Sequence, residues 1–129
     1  DLDLKTFPYS DQIVKLSKSF PKFKLDQAWL NISRKGNYND VHVHPGCDIS
    51  LVWYITDTDK SLRLRDPQAY GMHPFYKPLG EQGLTLSDTI TLDTTAGDLV
   101  AFPAFLPHYV MPHKKDTARI SVAFNGNLI

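Results

Sequence analysis

Asn37-Tyr38-Asn39-Asp40-Val41-His42-Val43-His44-Pro45-Gly46-Cys47-Asp48 is the stretch on which the reading of this chain turns. Successive side chains of a β-strand point to opposite faces, so residues two apart project together. Carried on a strand, His42 and His44 aim at one target. Imidazole suits iron, zinc, copper and nickel, and a β-scaffold with open coordination positions would make a catalytic metal centre. A His-x-His pair alone has little specificity. Its meaning depends on the residues around it.

The chain has 129 residues, enough for one domain with a single core. Apolar residues make up 42%, with seven Phe, six Tyr and two Trp, as in a globular protein. Formal net charge is zero and the pI is near 7.1, which argues against nucleic-acid binding, since that needs a basic footprint. No apolar run reaches membrane-spanning length, so no membrane partner is expected. Asp1-Leu2-Asp3-Leu4-Lys5 is not a signal peptide, and the missing initiator Met points to an excised domain. Cys47 is the one cysteine, so no internal disulfide forms and a cytoplasmic setting, in a bacterial cell or a phage-infected host, is expected.

Upstream of the histidines, residues 1–24 read as an N-terminal helical segment. Ser10-Asp11 offers an N-cap, Ile13, Leu16 and Phe20 share a face, and Pro21 ends the run. The lysines at 15, 18, 22 and 24 read as a solvated face. From Gln27 the period changes to that of strands, over 27–33, 39–43, 48–56, 61–65, 88–93, 98–102, 108–111 and 117–125, separated by Gly, Pro and Asp turns. Residues 48–56 read as buried on both faces. Residues 66–86 have no firm period and read as a long loop, the kind that often serves as a lid. The expectation is an all-β jelly roll of about eight strands, with core 27–125 and one helix packed outside.

Two further segments carry chemistry. In Gly97-Asp98-Leu99-Val100-Ala101-Phe102-Pro103-Ala104-Phe105-Leu106-Pro107-His108, a turn feeds an apolar strand, two prolines fix the return, and a histidine opens the next strand. His108 is either a third ligand at the mouth holding His42 and His44 or a polar cap on a strand end. Three ligands on one side of a metal leave positions open for substrate and oxygen. In Thr117-Ala118-Arg119-Ile120-Ser121-Val122-Ala123-Phe124-Asn125, Arg119, Ser121, Ala123 and Asn125 share one face. A buried arginine needs an anionic partner. Its fork matches a carboxylate, with Ser121 as an added donor, or it meets one of the fourteen acidic residues inside the protein.

Together these pieces resemble the small Fe(II)/2-oxoglutarate-dependent oxygenases of bacterial and phage type, built on the double-stranded β-helix. The matching residues are Trp29-x-Asn31, Gly36-x-x-Asn39, His42-x-His44-Pro45, Ser50-x-x-x-Tyr54, Gly97-Asp98-Leu99-x-x-Phe102-Pro103, His108-x-Val110-x-Pro112 and Arg119-Ile120-Ser121-x-x-Phe124-Asn125. They span roughly three-quarters of the chain, and their specificity lies in their order and spacing. The resemblance implies a double-stranded β-helix that binds Fe(II) through His42 and His108, with Arg119 and Ser121 on the remote carboxylate of 2-oxoglutarate. Tyr54 is a further contact there, and Asn31 a lining residue. It implies a hydroxylase using O2 and 2-oxoglutarate on an unidentified substrate, releasing succinate and CO2. The family usually has an acid where this chain has His44. Either His44 completes a three-histidine site, the favoured reading, or Asp48 supplies the carboxylate; Asp40 precedes the strand end and fits less well. The short chain leaves out helical support common in larger members, which points to a homodimer or a further N-terminal segment.

Other residues have plainer readings: Cys47 a small buried thiol, His73 an exposed loop residue, His113 solvated, Trp53 core, Arg63 and Arg65 a solvated strand face. A cupin is the nearest rival. Gly36 and Gly97 open its two motifs at the right distance from His42 and Pro103. This chain lacks the expected glutamate after His44 and a glycine two residues after Pro103, His108 lies too far along, and a cupin gives Arg119 and Ser121 no role. A metal-free jelly-roll binding module predicts instead that the histidines do not converge and that Arg119 is salt-bridged.

Overall fold

Short alternating segments cut by Gly, Pro and Asp turns cannot bury an apolar face singly, and they satisfy their backbones by pairing. The computed structural model describes residues 22–66 and 88–129, and all regular structure among them is strand. The strands are β1 (Phe23–Ser33), β2 (Asn39–His42), β3 (Ile49–Tyr54), β4 (Leu62–Arg65), β5 (Thr89–Thr91), β6 (Leu99–Pro103), β7 (His108–Val110) and β8 (Arg119–Leu128). They form two antiparallel four-stranded sheets, in the orders β1-β8-β3-β6 and β2-β7-β4-β5. The chain passes repeatedly from one sheet to the other, as a jelly roll requires.

Most of the helix expected over residues 1–24, and all but Asp66 of the lid expected over 66–86, lie outside the described residues. Phe23 and Lys24 correct the helical reading: they belong to β1 and pair with Leu128 and Asn127. Both ends of the expected core move outward together, because β8 continues past Asn125 and gives residues 23–25 a partner. A bulge between Leu25 and Gln27 then reverses the alternation. Phe23 and Leu25 before it and Ala28 after it all pack on the cluster of Leu51, Val122 and Phe124, while Trp29, Asn31 and Ser33 face the cavity between the sheets. The bulge thus lets one strand serve an apolar face and a polar one.

Leu62, Leu64 and Phe102 form a second cluster, joined by Val52, Val100, Leu106 and Val110. β3 therefore has buried positions on both its faces, with Leu51 in one cluster and Val52 against the other. Trp53 packs half-buried against the first, as a core residue.

Candidate metal and carboxylate site

The strand carrying the His-x-His pair stops at His42, so alternation alone does not aim His44. His42 pairs across the ladder with His108, the first residue of β7. His44 is held beyond the strand end by its own N–H, which donates to the Ala104 carbonyl at 2.9 Å. Gly46, at φ +81°, turns the chain away directly afterwards. One imidazole nitrogen from each of His42, His44 and His108 lies within 4.8 Å of the others. His44 Nε2 and His108 Nε2 are 3.2 Å apart. Nitrogens sharing a metal at bond lengths of about 2.1 Å come within roughly 3 to 4 Å of each other.

The opposite nitrogens are engaged. His42 Nδ1 meets the Asp40 carbonyl at 2.6 Å, and His108 Nδ1 meets the Leu106 carbonyl at 2.8 Å. A carbonyl only accepts, so each Nδ1 carries the proton and each Nε2 presents a lone pair. His44 Nδ1 lies 3.1 Å from Asn125 Nδ2. Burial, with Phe102 edge-on to the ring, lowers His108 to about 4, against the opposing effect of the Leu106 hydrogen bond and with some help from His42 and His44. Burial and His42 also lower His44. Both rings are thereby kept neutral, the form a metal ligand needs.

The second pole lies along the inner face of β1, β8 and β3, whose residues form matched rungs. Gln27, Asn125 and Ser50 make one, Trp29, Ala123 and Val52 the next, then Asn31, Ser121 and Tyr54. Arg119 follows beside Ser33. Arg119 is only 5% exposed, and neither terminal guanidinium nitrogen has a hydrogen-bond partner among the described residues. The hydroxyl of Ser61, buried and likewise without a partner among the described residues, lines the same cavity as Arg119, Ser121, Tyr54, Asn31 and the three histidines. Burial pushes the Tyr54 phenol up to about 12 despite Thr94 and Arg119, so it stays neutral and does not balance the arginine. Asp59 acts on Arg119 at a distance, but its carboxylate is bonded to Lys115 at 2.7 Å. A buried fork and a hydroxyl, both unpartnered among the described residues and lining one cavity, could hold a carboxylate. The donor set therefore fits a metal at one end and a small dicarboxylate spanning to the other.

The remaining candidates lie elsewhere. Asp48 is exposed and its carboxylate accepts from the Leu128 N–H at 2.8 Å, which caps β8. Asp40 is exposed and contributes its carbonyl. Cys47 is half-buried and outside the histidine group. His113, expected in solvent, is 3% exposed: its Nε2 meets the Thr117 carbonyl at 2.5 Å and its backbone pairs with Gly36 and Asn37, locking the turn before β2. Arg65 is paired with Asp88 at 3.1 Å, and Arg63 bonds the Lys60 carbonyl. His73 lies outside the described residues. Sequence reasoning missed Ser61, which alternation puts on the face of Arg63 and Arg65, read as solvated, and gave Asn125 no task.

A protein family described as "Putative 2OG-Fe(II) oxygenase" matches residues 27–125. No curated protein matches the chain by sequence. Among solved structures, the chain is similar to an oxidoreductase of the 2OG-Fe(II) oxygenase family from Burkholderia pseudomallei, with 13% identity and a TM-score of 0.64 over 94% of this chain and 59% of that one. It is similar to HygX from Streptomyces hygroscopicus with iron bound, at 12% identity and TM-score 0.59, covering 94% of this chain and 65% of that one. A cupin domain from Bordetella pertussis has 17% identity and TM-score 0.50, with 84% and 92% covered. Such identities speak for the fold. The chain spans less than two thirds of the length of the first two proteins. No described helix is long and apolar enough to cross a membrane.

Proposed function

Since the chain belongs to the 2OG-Fe(II) oxygenase family, we propose that it is an Fe(II)- and 2-oxoglutarate-dependent oxygenase that hydroxylates a substrate, with release of succinate and CO2. The observation that carries this reading is the buried, unpartnered Arg119 fork in the same cavity as three converging imidazoles. Iron and 2-oxoglutarate, when bound, supply the oxidation, with one atom of O2 going to succinate and the other to the substrate.

The chain's own residues hold and orient. His42, His44 and His108 present Nε2 to the iron, with His44 where the family usually has an acid and with the Asp48 carboxylate engaged at β8. Arg119 takes the remote carboxylate of 2-oxoglutarate on two parallel N–H bonds, and the hydroxyls of Ser121 and Ser61 add donors. Tyr54, neutral at working pH, donates to the same group. Asn31 and Trp29 line the approach. Phe102 and Leu62 close the floor against water, which strengthens every charge-assisted bond inside.

A cupin-type metalloprotein without 2-oxoglutarate is the second reading, favoured by the likeness of fold to the Bordetella pertussis domain. Anaerobic Fe(II) titration with and without 2-oxoglutarate separates the two. The oxygenase reading expects a visible charge-transfer band only when both are present. Fe(II) binding with no such band would remove the 2-oxoglutarate claim and leave the cupin.

A further inference from the structure

The three histidines are not held alike. His42 and His108 rest their Nδ1 on backbone carbonyls, which accept and never donate, so their protonation pattern is preset for coordination through Nε2. His44 rests on the side-chain amide of Asn125, which offers N–H from one side and oxygen from the other. Asn125 is 2% exposed and sits mid-rung between Ser50 and Gln27.

The hydrogen bonds of the structure run in one direction. Ser50 Oγ donates to Asn125 Oδ1 at 2.8 Å, and Asn125 Nδ2 faces His44 Nδ1 at 3.1 Å. A ring nitrogen that accepts leaves the proton on the other, so His44 Nε2–H points at His108 Nε2, 3.2 Å away. That nitrogen is an acceptor because His108 donates through Nδ1 to Leu106. The chain Ser50, Asn125, His44, His108, Leu106 is internally consistent from end to end. With the Asn125 amide in this orientation, His44 Nε2 is closed to a metal.

We propose that Asn125 is the positioning residue for the third ligand: turned by half a rotation, its amide accepts from His44 Nδ1–H and frees Nε2 for coordination. The bonds exchanged balance. Asn125 Oδ1 takes the His44 Nδ1–H, Asn125 Nδ2 donates to Ser50, whose hydroxyl accepts as readily as it donates, and His44 gives up its bond to His108. Gln27, 3.4 Å from Asn125 Nδ2 and exposed, can turn its own amide to follow. His42 and His108 stand ready, whereas His44 has to be set. The inference rests on the reading of His44 as a metal ligand.

The test uses zinc, which is diamagnetic, and reads the imidazole 15N shifts of His44 at pH 8. In the wild type we expect the proton on Nε2 without zinc and on Nδ1 with it, as coordination shifts appear at Nε2. N125L, which removes the acceptor, should weaken zinc binding by roughly 10- to 100-fold. N125D, which only accepts, should show Nδ1 protonated with and without zinc and bind at least as tightly as wild type; it also guards against a leucine variant that fails to fold. If His44 coordinates through Nε2 but already carries its proton on Nδ1 before zinc, or if N125L and N125D both bind like wild type, the role of Asn125 falls while the metal site stands. If zinc shifts only His42 and His108, both fall.

Discussion

Arg119 carries a full charge at 5% exposure with two nitrogens unpartnered among the described residues, and such a group costs stability unless a ligand balances it. Burial accordingly lowers its pKa, against smaller contributions from Tyr54 and Asp59. Arg119→Met keeps the stem and removes the fork. We expect 2-oxoglutarate affinity to fall about 100-fold, the equivalent of roughly 3 kcal/mol for a lost charge-assisted pair, while the melting temperature holds or rises. Isothermal titration and a thermal melt read both, and a melt several degrees lower would mean that the arginine has a structural partner. His42, His108 and Arg119 were legible in the sequence because each sits at a strand boundary or on an alternating face. Ser61 was not, since it opens the expected strand 61–65 on the face of Arg63 and Arg65, read as solvated, whereas the structure buries it just before β4. His113 was misread because a Pro-His-Lys context signals solvent, whereas its ring is trapped by backbone groups of distant turns.

At the scale of the element, the bulge in β1 and the glycine opposite it are one device. A Cβ on Gly126 would lie 2.5 Å from the Lys24 carbonyl oxygen and 3.2 Å from the Phe23 ring. Gly126→Ala must push β1 away from β8, at a cost of about 2 kcal/mol or more, visible as a lower urea midpoint. Because Gly126 follows Asn125 and faces Leu25 beside the bulge, zinc affinity should drop with it. Gly46→Ala, with open space around its Cβ, should cost only about 1 kcal/mol for the left-handed backbone. The existence of the eight strands among the described residues was readable from alternation and turn residues. Strand ends were not, because residues 23–25 become a strand only through a partner about a hundred positions away, and a bulge hides one residue from any period-two count.

For the molecule as a whole, the site imposes an acid limit. His108 titrates near 4 when folded and near 6.5 when free, and His44 is lowered in the same direction. The unfolded chain therefore takes up protons first, so stability falls as pH drops from about 6.5 toward 4 and is unaffected by these groups above that window. In chelator the loss from His108 is on the order of 2 to 3 kcal/mol, measurable as a falling urea midpoint across that range. His108→Leu should flatten the curve. The sheet order has a consequence in time. Each ladder of the β1-β8-β3-β6 sheet joins segments more than forty residues apart, and β1 and β3 both wait for β8, which is synthesised after them. Loop closure over such separations is slow, so folding begins in earnest only after synthesis has passed residue 128. Until then Trp29, Leu30 and Ile32 travel on an unpaired strand, an invitation to chaperones or to aggregation. A chain interrupted before β8 has neither Asn125 nor Arg119, so under the proposed function binding of metal and carboxylate would report that translation had run through β8.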